Sequence, residues 1–150
     1  MEIVRYTRDR IDDVLDFERR LREEENFWGW EIDEAYIRKV EASFDDPAFD
    51  ASVSLLAYRD GKVIGRIDSA IIASRFDGSK KAYLDWICVI RSCRHQGAAQ
   101  QLLQALRQTL KDMGVDTLIA LTAANEEAQS FYRKVHDSVM RDTGIWIDIK

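Results

Sequence analysis

The chain has 150 residues, about 46% hydrophobic and 33% charged, a balance that suits one compact domain and excludes a disordered or low-complexity protein. Twenty-seven acidic against 22 basic side chains leave a net charge of −5 without a basic stripe, which argues against nucleic acid as the main partner. No apolar run reaches the roughly 20 residues of a membrane helix, and the start, MEIVRYTRDRIDD, lacks a signal-peptide core, so the expected location is cytoplasmic, with no membrane partner.

The elements follow from periodicity. Ile3 to Thr7 predicts a first strand, with Thr7 or Asp9 capping a helix whose inner face is Ile11, Val14, Leu15 and Leu21. Asp33 predicts the cap of a second helix, with Tyr36, Ile37, Val40 and Phe44 on one face, ended by Asp45-Asp46-Pro47. A three-strand meander follows: Ser52–Tyr58, the turn Asp60-Gly61, Val63–Ala73, the turn Asp77-Gly78, then Ala82–Ile90. Ala99, Leu102, Leu103, Leu106, Leu110 and Met113 form a helical stripe that Gly114 stops. Thr117–Leu121 is a short strand. Asn125 opens a helix with Ala128, Phe131, Tyr132 and Val135 inward, and Ile145, Ile147 and Ile149 alternate as a closing strand. The expected class is α+β, a mixed and mostly antiparallel sheet with about four helices, as one domain over residues 1–150.

Two cysteines, Cys88 and Cys93, do not make a disulfide framework, and with two histidines a metal site is not expected. Glu23, Glu24, Glu25, Glu31, Asp33 and Glu34 surround Trp28 and Trp30. Such a field attracts a cationic substrate, and it is equally the composition of a solvated helix end.

The chemistry concentrates in YLDWICVIRSCRHQGAA, Tyr83 to Ala99: a strand, a polar loop and a helix start. Arg94-His95-Gln96-Gly97-Ala98-Ala99 has the form R-x-x-G-x-A. Gly97 lets a ligand approach the backbone, and the first amides of the helix carry its positive dipole end, a site for a diphosphate. The loop is neither a nucleotide P-loop nor a dinucleotide fingerprint. Downstream, Asn125-Glu126-Glu127-Ala128-Gln129-Ser130-Phe131-Tyr132-Arg133-Lys134 has the form N-x-x-A-x-x-F-Y-x-K.

These two blocks, in this order and on these elements, resemble the GNAT N-acetyltransferases over roughly residues 82–135. The departure is the usual Leu-Gly-Phe after Tyr-x-Lys, replaced here by Val135-His136-Asp137.

The resemblance implies transfer of an acetyl group from acetyl-coenzyme A to a primary amine, without metal, by direct attack in a ternary complex. Ile87, Cys88 and Val89 would pair with the pantetheine arm, with a bulge near Val89 aiming an amide at the thioester oxygen. Arg94, His95, Gln96, Gly97, Ala98 and Ala99 would cradle the diphosphate. Asn125 would contact coenzyme A as well as cap its helix, and Tyr132 would protonate the departing thiolate; packing on the inner helix face fits Tyr132 equally.

A lysine-like amine must lose a proton at a cost of about 4–5 kcal/mol at neutral pH, so a base or water relay is needed. Asp85, sharing strand parity with Ile87 and Val89, is the expected base, with a salt bridge to Arg66 as the alternative and Asp68 as the second candidate. Trp28, Trp30, Glu31, Tyr36 and Tyr83 are the expected acceptor walls, with Glu24 and Glu25 adding charge for an aminoglycoside-like or polyamine-like acceptor. A protein lysine or N-terminus is the alternative acceptor. A non-catalytic acyl-coenzyme A sensor is the competing reading of the missing Leu-Gly-Phe, and homodimerisation through the last strand is open.

Overall fold

In the structure, a computed structural model, residues 1–25, 31–123, 125–141, 144, 147 and 149 are described. The chain divides into two compact units, Met1–Ile119 and Ala120–Lys150.

The first unit is built on a sheet of order β1-β2-β3-β4-β5, with β1 Glu2–Arg5, β2 Ser52–Arg59, β3 Lys62–Ala73, β4 Lys80–Val89 and β5 Thr117–Ala120. The first four strands are antiparallel neighbours. Asp60 and Gly61 both take positive φ, 50° and 74°, which is what a two-residue hairpin between twisted strands demands. Asp116 donates its amide to the Lys80 carbonyl and accepts from the Lys80 amide. The starts of β4 and β5 therefore lie level, as in parallel neighbours joined by a helical crossover. With four residues against ten, β5 runs out near Leu84, before Ile87–Val89.

Helices α1 (Ile11–Glu25) and α3 (Ala98–Asp112) pack on the sheet. Cross-strand register sorts the side chains by face. Leu56 and Val63 pack with Val14, Phe17 and Leu21 of α1, and Trp86 and Cys88 lie against that cluster. A register shift opposite Ala57 and Tyr58 leaves Ile64 as an extra residue of β3, so Gly65, Ile67 and Ser69 fall on the face opposite Val63. A Cβ on Gly65 would meet Leu102 Cδ1, the Cys88 carbonyl and Val89 Cγ2, each at 3.1 Å, so an alanine there fits only if these neighbours give by a few tenths of an ångström. Helix α3 stops as Gly114 turns left-handed at φ 71°. The Val115 amide then reaches back to the Leu110 carbonyl and the Gly114 amide to Lys111, a Schellman closure.

Helix α2 (Glu34–Ser43) starts at Asp33, whose carboxylate accepts the Tyr36 amide at 2.8 Å. In the second unit, α4 (Glu126–Arg133) starts at Asn125, whose side chain accepts the Ala128 amide at 2.9 Å. The predicted closing strand over Ile145, Ile147 and Ile149 lies partly outside the described residues.

Two expectations from the sequence change. The bulge within β4 lies at Asp85, not near Val89: Asp68 pairs with Trp86 and Ser69 with Leu84, leaving Asp85 as the extra residue. Alternation counted from Val89 therefore slips by one at Asp85, and the shared parity with Ile87 and Val89 is lost. Asp85 is also exposed, so its carboxylate is not in an apolar setting that demands a partner, and Arg66 pairs elsewhere.

Candidate active site

The loop from Ile90 to Gly97 leaves β4 through a short 3-10 turn, Arg91–Cys93, and delivers the chain to α3. His95 and Gly97 both have positive φ, 58° and 82°. Left-handed residues of this kind occur in the backbone concavities that bind anions. Gly97 is the N-cap of α3 and has no side chain to cap it; the first intrahelical bond runs from the Gln101 amide to the Gly97 carbonyl. The preceding amides of the first turn therefore have no acceptor within the helix. A Cβ at Gly97 would meet only Gln101 Nε2, at 3.7 Å, so the space before these donors is open. Amides of this kind, at a positive dipole end and free of a side-chain cap, fit a diphosphate.

Arg94 makes contacts that its sequence spacing did not reveal. Its Nε donates to the Val89 carbonyl at 3.0 Å and its Nη2 lies 2.7 Å from Glu25 Oε1, so the guanidinium ties the loop to the end of β4 and to α1. Glu24 accepts from the Ser92 amide and hydroxyl, both at 2.9 Å. These two carboxylates bind the loop. Gln96 accepts a hydrogen bond from Arg59 at the β2–β3 turn. His95 and Gln96 are exposed and Ala98 is buried under the helix start, while Ala99 is half-buried.

On the α1 face of the sheet lies a polar group that periodicity did not assemble. Asp68 accepts from Ser54 Oγ at 2.6 Å and from Arg66 Nη2 at 2.9 Å, and its other oxygen lies 2.7 Å from Arg66 Nε. Arg66 Nη1 reaches Glu18 at 3.3 Å, and the Tyr36 hydroxyl donates to the same carboxylate at 2.9 Å. The guanidinium lies 4.9 Å from the Tyr6 ring and 5.9 Å from Trp86. Burial pushes the Glu18 carboxyl above its usual range, against the pull of Tyr36 and Arg66, and pushes the Tyr6 phenol up to about 12. Burial works against the charge on Arg66, but Asp68 foremost holds it protonated. The sequence signal for Glu18 was available: it stands in phase with Val14 and Leu21, on the inward stripe of α1. Replacing Glu18 by alanine removes the carboxylate that Tyr36 and Arg66 share, and is expected to cost about 3 kcal/mol of unfolding free energy in urea titrations.

Among the expected acceptor residues, Tyr36 is thus held by Glu18, Glu31 is exposed, and Tyr83 is half-buried beside Ala70 of β3. Trp28 and Trp30 lie outside the described residues. Cys88 is half-buried, and burial drives its thiol up to about 11. Only about one part in a thousand is then thiolate at pH 8. Iodoacetamide at that pH is expected to leave Cys88 unlabelled in the folded protein and to modify it in urea, read by peptide mass mapping.

In the second unit, Tyr132 lies on α4 with its ring centroid 5.2 Å from Phe131 in an edge-on pair, and both are half-buried. Asn125 and Tyr132 belong to this unit, while Asp85, Ile87–Val89 and the loop belong to the first. Among the described residues no His/Cys/Asp/Glu group could hold a metal ion, and no helix is long and apolar enough to cross a membrane.

No curated protein sequence matches the chain. Several solved structures share its fold. The aminoglycoside acetyltransferase meta-AAC0020 from an uncultured soil metagenomic sample, in complex with sisomicin, superposes with a TM-score of 0.83 at 14% identity, covering 99% of this chain and 96% of that one. The aminoglycoside acetyltransferase AAC(6')-Iy, in complex with a bisubstrate analogue of coenzyme A and acetylneamine, gives 0.76 at 20% identity, covering 99% and 97%. A ribosomal-protein-alanine N-acetyltransferase from Brucella melitensis biovar Abortus 2308 gives 0.74 at 15% identity, covering 99% and 100%. The family model described as Acetyltransferase (GNAT) family matches residues 4–137. With its mixed, mostly antiparallel sheet and a match spanning both sequence blocks, the chain belongs to the GNAT family of acyl-coenzyme A-dependent N-acetyltransferases.

Proposed function

We propose that this protein moves an acetyl group from acetyl-coenzyme A to a primary amine of a small cationic molecule, within one ternary complex, and that residues 1–150 act as a single acetyltransferase domain. The observation that carries the reading is the Ile90–Gly97 loop, where two left-handed residues precede a helix start with no side-chain cap and open space beside Gly97. Acetyl-coenzyme A supplies the activated thioester; the rest of the chemistry falls to side chains and backbone of this chain.

Arg94 and His95, with the amides from Gln96 to Ala99, hold the diphosphate. The carbonyls and amides of Ile87, Cys88 and Val89, beyond the reach of β5, take the pantetheine arm as an added strand would. Asn125 supports the coenzyme from α4, and Tyr132 gives a proton to the departing sulfur. Asp85, exposed on the bulge, takes the proton of the acceptor ammonium directly or through water.

The acceptor is assigned to a small cationic amine because the superposable enzymes include aminoglycoside acetyltransferases and because the chain is acidic overall. Tyr83 and Tyr36, with Trp28, Trp30 and Glu31, are proposed walls of its pocket. The likeness to the ribosomal-protein-alanine enzyme keeps a peptide N-terminus as the second acceptor class. Two free thiols fit a reducing, cytoplasmic setting.

The test is calorimetry with acetyl-coenzyme A, followed by thiol release across aminoglycosides, polyamines, lysine peptides and peptide N-termini. Micromolar binding with release for a cationic small amine is the expected result. Release for peptides alone would replace the acceptor assignment, and absence of binding would remove the reading.

A further inference from the structure

We propose that Glu24 and Glu25, the last two residues of α1, are positioning residues for the coenzyme: they hold the Ile90–Gly97 loop in the shape that receives a diphosphate. The inference rests on the reading of that loop given above.

The sequence shows the anomaly first. Glu23, Glu24 and Glu25 end α1, where the helix dipole disfavours negative charge, with Arg22 the basic residue of the last turn. A run that breaks a local preference points to a gain elsewhere. The structure shows that gain on the loop. Both oxygens of Glu24 accept from Ser92, one from the amide inside the 3-10 turn and one from the hydroxyl. Glu25 takes the Arg94 guanidinium at 2.7 Å, and Arg94 in turn holds the Val89 carbonyl at 3.0 Å. The loop is thereby fastened at its turn and just before its first left-handed residue. Gln96 is held from a third side by Arg59 and reaches the Ser92 carbonyl at 3.4 Å.

The arrangement answers a specific need. Gly97 offers no side-chain cap, and positive φ at His95 is a conformation that non-glycine residues leave readily. An amide cradle binds an anion well only when its donors are already aimed, since ordering a loop on binding weakens the complex. Charge-assisted hydrogen bonds from Ser92 to Glu24, and the ion pair of Arg94 with Glu25, supply that order. Pairing with Arg94 also offsets the repulsion that an unpaired Glu25 would exert on a diphosphate.

The experiment compares coenzyme A with pantetheine, which keeps the thiol arm and lacks the diphosphate. Affinities for both are measured by calorimetry on the full chain, with thermal melting as a check on folding. Glu24→Ala and Glu25→Ala are each expected to weaken coenzyme A roughly tenfold or more while leaving pantetheine within about twofold. Glu24→Gln, which keeps one acceptor oxygen and the side-chain volume, is expected to fold as the parent does and to recover part of the loss. If the variants weaken both ligands together, or leave the preference for coenzyme A intact, the positioning role is overturned. If the parent protein binds coenzyme A no better than pantetheine, it is the diphosphate reading of the loop that fails.

Discussion

Gly97→Val is expected to weaken acetyl-coenzyme A binding by roughly a hundredfold or more in calorimetric titration, the largest effect of any single change outside the core. Two physical terms add. At φ 82° a β-branched residue sits in a backbone region that costs about 1–3 kcal/mol, so the loop leaves the conformation that aims its amides. The new methyl groups would also occupy the open space before the first turn of α3, where a diphosphate has to come close to the backbone. A control separates strain from site. Gly114 also has positive φ, 71°, and a Cβ there would meet nothing within 4 Å, but it ends α3 far along the helix from the loop. Gly114→Ala is expected to lower the melting temperature while leaving coenzyme affinity unchanged. Equal loss of affinity in both variants would trace the effect to general destabilisation.

Tyr132→Phe is expected to lower kcat about a hundredfold while changing the affinity for acetyl-coenzyme A less than twofold. Positioned proton transfer contributes about 10²–10⁴ in rate, and the substitution removes only the hydroxyl. The ring, with its edge-on contact to Phe131, is kept. A purely packing role for Tyr132 therefore predicts full activity in the phenylalanine variant, which makes the substitution decisive between the two readings of this residue. Single-turnover measurements would separate the chemical step from product release.

Much of this protein could be read from its residues because local physics dominated there. Asp33 and Asn125 cap helices with hydrogen bonds that any aspartate or asparagine at a helix start tends to make. Asp60-Gly61 made a hairpin because few other pairs accept two positive φ values. The stripe from Leu102 to Leu110 buried itself as its period demands.

What resisted reading was non-local. The bulge at Asp85 depends on how β4 pairs with β3, and strand parity alone carries no mark of an inserted residue. The bond of Tyr36 to Glu18 was not foreseen because Glu18 is 18 residues away on another helix. Glu24 and Glu25 looked like a field for a cationic ligand because Ser92 and Arg94 are nearly 70 residues further along the chain. A count of charge gives the sign of a surface and not the address of each carboxylate.

Helix α2 has no fully buried residue; it is held by the Tyr36 hydroxyl on Glu18, by Arg8 on the Glu41 carbonyl and on Asp45, and by the Phe44 ring against Tyr6. Among the described residues these few discrete latches fasten it, so its opening need not disturb the core behind it. In hydrogen exchange its amides should form a separate, faster class than those of β3 and α3. The protein would then breathe on one side, letting α2 lift and reseat while the β-sheet keeps its register.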